Sequence, residues 1–108
     1  DFNELRSSID QEVVGNEEAT FYARVSGESM QGAGLDDGDL LVIDRSMEPQ
    51  HDKIAICYID GEFTVKRLKV VSDGVFLMPE NPKYQPIKVT EENELIIWGI
   101  VTYVVKKL

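Results

Sequence analysis

Short apolar runs separated by turn signals dominate this chain, and after the first fifteen residues no stretch keeps a helical period. Thr20 to Ser26, Leu40 to Asp44, Ile54 to Ile59, Glu62 to Leu68, Val75 to Met78, Ile87 to Val89 and Glu94 to Lys106 each read as a strand. The turn Asp36-Asp37-Gly38-Asp39 leads into the second of these, and Pro79, Pro82 and Pro86 mark a proline-rich loop after the fifth. The exception is the start. Phe2, Leu5, Ile9 and Val13 fall on one face of a helix, Asp1 and Glu4 resemble a capping box, and Gly15 is a stop signal. A helix this short is marginal in water, so residues 1–19 are expected to form a helical or partly extended arm, with residues 20–108 as the body.

Asp60-Gly61 between two apolar runs is a strong hairpin signal. A two-residue loop there sets Ile59 opposite Glu62, Cys57 opposite Thr64 and Ala55 opposite Lys66. Lys66 then shares a face with Ala55, Cys57, Thr64 and Leu68, and Arg67 points the other way with Phe63, Val65, Ile56 and Tyr58. Gly99, inside the last run, predicts a bulge or bend. Asp52-Lys53 precedes the third strand, and aspartate tolerates the left-handed backbone that a tight turn requires there. These features predict a mainly β fold, a small twisted β-barrel or sandwich.

With 108 residues, 43% of them hydrophobic, the chain is large enough for one core but not for two. Its 11 basic and 20 acidic residues give a net charge of −9, which argues against a direct grip on nucleic acid. The lone Cys57 has no internal partner and reads as a buried thiol in a reducing compartment. One cysteine and one histidine make no metal-ligand set, and no cofactor is implied. The terminal apolar run is too short to span a bilayer and no signal peptide is evident, so a soluble, cytoplasmic protein is expected.

The chemistry centres on Val25-Ser26-Gly27-Glu28-Ser29-Met30-Gln31-Gly32-Ala33-Gly34, a glycine-punctuated loop after the first strand. Glycine lets backbone approach a substrate closely, which makes Ser29 the candidate nucleophile. A serine needs a base. His51 sits in a polar turn, whereas Lys66 lies on a strand amid small apolar neighbours that would strip its solvation and favour the neutral amine. Most serines beside glycine are loop residues and most strand lysines are solvated, so these two features alone establish no catalysis.

Three segments change that: Ser26-Gly27-Glu28-Ser29-Met30, Asp37-Gly38-Asp39-Leu40-Leu41-Val42-Ile43-Asp44 and Asp60-Gly61-Glu62-Phe63-Thr64-Val65-Lys66-Arg67-Leu68. Together with Met78-Pro79-Glu80-Asn81-Pro82 and Trp98-Gly99-Ile100-Val101, in order from about Thr20 to the end, they resemble the self-cleaving serine peptidases of the LexA and UmuD type. Asp60 to Lys66 and the ending Val104-Val105-Lys106 resemble the UmuD branch most. The resemblance implies a β domain of the LexA and signal-peptidase kind. It also implies a catalytic dyad of Ser29 and Lys66, with the main-chain N–H of Ser29 as candidate oxyanion donor. Asp52-Lys53 departs from the Gly-Asp that relatives usually carry at that turn.

For function, the resemblance implies an SOS-response autopeptidase, stimulated by a RecA nucleoprotein filament. The processed form would be a homodimer that serves as accessory subunit to the catalytic subunit of a translesion DNA polymerase. Relatives cut between Ala or Cys and Gly, well ahead of the serine. The one glycine here before the first strand, Gly15, follows Val14, so the expected scissile bond lies upstream of Asp1. The alternative from the same resemblance is the dimerisation and autocleavage domain of a LexA-like or phage-type repressor. A signal peptidase, which would need a membrane anchor, and a β domain in which Ser29 and Lys66 are incidental also stay open.

Overall fold

The computed structural model describes residues 9–108. Phe2 and Leu5, and with them residues 1–8 of the expected arm, lie outside the described residues; residues 9–13 are helical, and the Tyr103 hydroxyl donates to Glu12 at 3.0 Å. Seven strands follow: β1 (Thr20–Arg24), β2 (Leu40–Asp44), β3 (Ile54–Ile59), β4 (Glu62–Val71), β5 (Gly74–Met78), β6 (Ile87–Val89) and β7 (Leu95–Val105). They form one antiparallel sheet in the order β1-β2-β7-β3-β4-β5-β6.

The β3–β4 hairpin has the expected register, with Ile59 opposite Glu62, Cys57 opposite Thr64 and Ala55 opposite Lys66. Asp60 and Gly61 both take positive φ, +48° and +87°, which is what a turn matched to the twist of its strands requires. Asp52 also has positive φ, +68°, so the Asp52-Lys53 turn is made with aspartate in the left-handed region. Two strands depart from the sequence reading by more than one residue at an end. β4 runs on to Val71, because β5 pairs with it from Arg67 to Val71 and extends the ladder. β1 stops at Arg24; Val25 instead exchanges main-chain hydrogen bonds with Gly38 and Asp39, which closes the base of the serine loop.

β7 pairs with both β2 and β3, and carries an extra residue against each. Opposite β3, Ile56 faces Gly99 and Cys57 faces Ile97, so Trp98 is the bulged residue beside the glycine expected to mark a bend. The Arg45 guanidinium lies 4.3 Å from the Trp98 ring centre, and Arg45 Nε donates to the Trp98 carbonyl at 2.8 Å.

The near-continuous apolar run of β3 follows from burial on both faces. Ile56 packs with Val25, Met30, Leu35, Leu41 and Ile43, under the serine loop. Ala55, Cys57 and Ile59 pack on the other face with Leu68, Leu77 and Ile100. Among the described residues no strand pairs with the outer edge of β4 from Glu62 to Lys66, because β5 begins its pairing at Arg67.

Candidate active site

The loop between β1 and β2 carries Ser29 and is built to hold one shape. Gly27 takes φ +92°, and its N–H donates to Asp37 Oδ1 at 2.8 Å. Met30, 2% exposed, plugs the loop into the core. A single 3₁₀ turn over Gln31–Ala33 then ends at Gly34 in the left-handed region. Ser29 itself is half-buried.

Lys66 comes from β4, on the face it shares with Ala55, Cys57 and Leu68, all at most 1% exposed. It is 8% exposed and has no carboxylate partner among the described residues. Its Nζ lies 3.0 Å from Ser29 Oγ, 2.6 Å from Thr64 Oγ1 and 3.1 Å from the Val65 carbonyl. Burial holds the Lys66 pKa below the ordinary lysine value, with Cys57 acting weakly the other way. Burial likewise pushes the Cys57 thiol up to about 11, so Cys57 is an unreactive core thiol, as its place in an apolar run suggested.

Three oxygens surround Nζ, acceptors enough for an ammonium, and a neutral amine fits the same positions. Its two N–H groups satisfy Thr64 Oγ1 and the Val65 carbonyl, and its lone pair accepts the Ser29 O–H. The other candidate base is elsewhere. His51 Nδ1 accepts the Val70 N–H at 2.9 Å, four residues along β4 from Lys66, and the ring is occupied in that turn.

Sequence reasoning missed Pro79-Glu80-Asn81-Pro82 as part of this site. The Glu80 N–H donates to the Ser29 carbonyl at 2.7 Å, and the Glu80 carbonyl accepts the Gly32 N–H at 2.7 Å. Asn81 Nδ2 donates to the Glu28 carbonyl at 2.8 Å. The two peptide units that flank Ser29 are thus both held. In a planar trans peptide the N–H points opposite to the C=O. Asn81, by fixing the Glu28 carbonyl, turns the Ser29 N–H the other way, where it makes no hydrogen bond among the described residues. Only a side-chain contact across 53 residues carries this information, and the motif itself was the one available signal.

A cleft of about 450 Å³ opens beside Ser29, lined by Val25, Ser26, Met30, Phe63 and Trp98 among others. The lining is mostly apolar, with Tyr22, Ser26, Ser29 and Thr64 as its hydroxyl-bearing residues and Arg24 as its charged one. Among the described residues no cluster of three or more His, Cys, Asp or Glu side chains could hold a metal ion. No helix among them is long and apolar enough to cross a membrane.

The Peptidase S24-like family profile matches residues 3–102. ImpA of Salmonella typhimurium is 39% identical over 113 aligned positions, covering 99% of this chain and 72% of ImpA. MucA of Escherichia coli is 42% identical over 91, covering 83% of this chain and 62% of MucA. The LexA repressor of Oleidesulfovibrio alaskensis is 41% identical over 93, covering 86% of this chain but 44% of the repressor.

Proposed function

Because the chain belongs to the Peptidase S24-like family, a group of serine peptidases, we propose that Ser29 and Lys66 are its catalytic dyad and that its substrate is its own polypeptide. Its relatives ImpA, MucA and SamA are UmuD-family proteins, and the function is of the UmuD type, in SOS mutagenesis. The observation that carries the dyad is a buried amine, without a counter-charge among the described residues, 3.0 Å from the hydroxyl.

Neutral Lys66 takes the proton from Ser29 Oγ as the oxygen attacks a peptide carbonyl in the cleft. The new oxyanion forms near the free Ser29 N–H, whose direction Asn81 sets. The Lys66 ammonium then returns the proton to the departing amine, which leaves an acyl group on Ser29 and a neutral lysine. Water, deprotonated by the same amine, releases the acyl group. Thr64 Oγ1 and the Val65 carbonyl hold Nζ in place through both steps. Burial between Ala55, Cys57 and Leu68 lowers the Lys66 pKa and so favours the neutral amine that this chemistry requires.

On this reading the cleaved protein is a homodimer that works by binding, as the accessory subunit of a translesion polymerase, and a RecA filament on single-stranded DNA stimulates the cut. The repressor reading keeps support from the LexA match, which lies within less than half of that protein. Incubation of the full-length gene product with RecA, ATP and single-stranded DNA tests both. A Ser29-dependent cut that leaves a product able to bind a translesion polymerase favours the first reading. A cut that abolishes operator binding favours the second.

A further inference from the structure

Ser29 sits on a loop, whereas Lys66 sits on a strand, so something must tie the two together if the hydroxyl is to stay within reach of the amine. Their elements are joined through the residue next to the lysine. Arg67 Nε donates to Glu80 Oε1 at 2.6 Å, while Arg67 Nη1 donates to the Asp52 carbonyl at 2.6 Å. The guanidinium is thereby braced on the β3 side as well as on the Glu80 side. Glu80 in turn grips Ser29 and Gly32 through its own main chain.

The contacts close a circuit: Lys66 is bonded to Arg67, Arg67 pairs with Glu80, Glu80 hydrogen-bonds the Ser29 main chain, and the Ser29 hydroxyl meets Lys66. β5 leaves the sheet at Met78, directly opposite Arg67, so the chain that follows crosses to the serine loop from a fixed point. Pro79 and Pro82 flank the crossing with restricted φ. A planar guanidinium reading a carboxylate gives direction as well as attraction, which a lysine in its place would not.

We propose that Arg67 and Glu80 are a positioning pair for the peptidase reaction: the ion pair sets where the Glu80 main chain stands, and through it the separation of Ser29 Oγ from Lys66 Nζ. The proposal rests on the dyad reading above. Neither side chain touches the reacting atoms. Each acts on geometry, and a small displacement of reacting groups costs a large part of the rate.

The test measures the first-order rate of self-cleavage of the full-length protein between pH 6 and 10. The variants are Arg67→Gln, Glu80→Ala, the exchanged pair Arg67→Glu with Glu80→Arg, and two controls, Ser29→Ala and Val42→Ala. Arg67→Gln and Glu80→Ala are each expected to lower the plateau rate about ten-fold or more without moving the pH midpoint, since Lys66 keeps its buried neighbours. The exchanged pair should recover most of the loss. Val42→Ala, a buried position on β2 that belongs neither to the Met30 cluster nor to the cluster beside Lys66, should melt lower yet cleave at nearly the parent rate.

Single variants within about two-fold of the parent rate would overturn the proposal, at a scale far below the loss that misplacement causes. So would an exchanged pair no better than either single variant, a rate loss matched by Val42→Ala, or a midpoint that shifts along with the rate. The dyad reading fails separately, if Ser29→Ala still cleaves like the parent.

Discussion

Lys66 Nζ stands 3.0 Å from Ser29 Oγ although 37 residues separate the two along the chain. The amine has no carboxylate beside it among the described residues, and its partners are the hydroxyls of Ser29 and Thr64 and the Val65 carbonyl. Replacement of either member should remove the reaction while leaving the sheet standing. Ser29→Ala and Lys66→Ala are each expected to reduce self-cleavage by at least about 10³-fold, the scale at which linked catalytic groups fail. Gel analysis of cleavage with a circular dichroism spectrum of each variant checks both halves.

The rate should rise with pH. Burial lowers the Lys66 pKa, and only the neutral amine can accept the serine proton. The expected profile climbs one decade per pH unit and levels off below the ordinary lysine value of about 10.4. A rate that stays flat between pH 6 and 9 would remove Lys66 as the base.

Stability should follow the same group. The folded protein releases the Lys66 proton at lower pH than the unfolded chain does, so between the two pKa values the unfolded state binds more protons. Stability therefore rises with pH through that window, and the burial penalty is fully present below the folded value. Lys66→Met deletes the penalty. The variant is expected to be more stable than the parent by about 1–2 kcal/mol at pH 7. The difference should shrink as pH approaches about 10.4, as read by thermal melts across that range.

Asn81 offers a separable test of the oxyanion donor. Asn81→Asp keeps the shape but replaces the Nδ2 donor that holds the Glu28 carbonyl, leaving the Glu28–Ser29 peptide free to turn. Cleavage is expected to fall about 10²-fold, comparable to the loss of one oxyanion donor elsewhere. The pH midpoint should stay where it was, because the amine is untouched.

Gly32 is predicted to tolerate no side chain. A Cβ there would stand 2.5 Å from the Glu80 carbonyl oxygen, which is main chain and cannot swing aside. Gly32→Ala should cost about 1–3 kcal/mol of stability and pull the serine loop off its clamp. Gly15→Ala, with open space around the position, serves as the neutral comparison in the same melts and cleavage assays.

Local signals made much of this architecture legible. Asp60-Gly61 specified its hairpin, and with it the neighbours of Lys66, because turn chemistry and a period of two leave a single register. Gly99 announced the bulge at Trp98, and Asp52 the left-handed turn. The pairing of Ser29 with Lys66 came from several motifs in register with a known family, since neither residue alone distinguishes itself from a loop serine or a strand lysine. What stayed hidden was long-range and main-chain in nature. Glu80 acts mostly through its N–H and C=O, which every residue but proline carries, so its identity gave no hint of its grip on Ser29. The extension of β4 to Val71 was equally invisible, because it depends on β5 lying alongside.

Where the outer edge of β4 has no neighbour among the described residues, from Glu62 to Lys66, the ladder of main-chain donors and acceptors is incomplete right next to the amine. An unfinished ladder is adhesive: any extended polypeptide can zip onto it, whether the intended segment or a stray one. Glu62, at its exposed tip, sets a negative charge at the entrance, which turns away acidic strands and leaves others free to dock. The same vacancy that would present a peptide bond to the hydroxyl is thus also a place where this protein, at high concentration, can stick to itself.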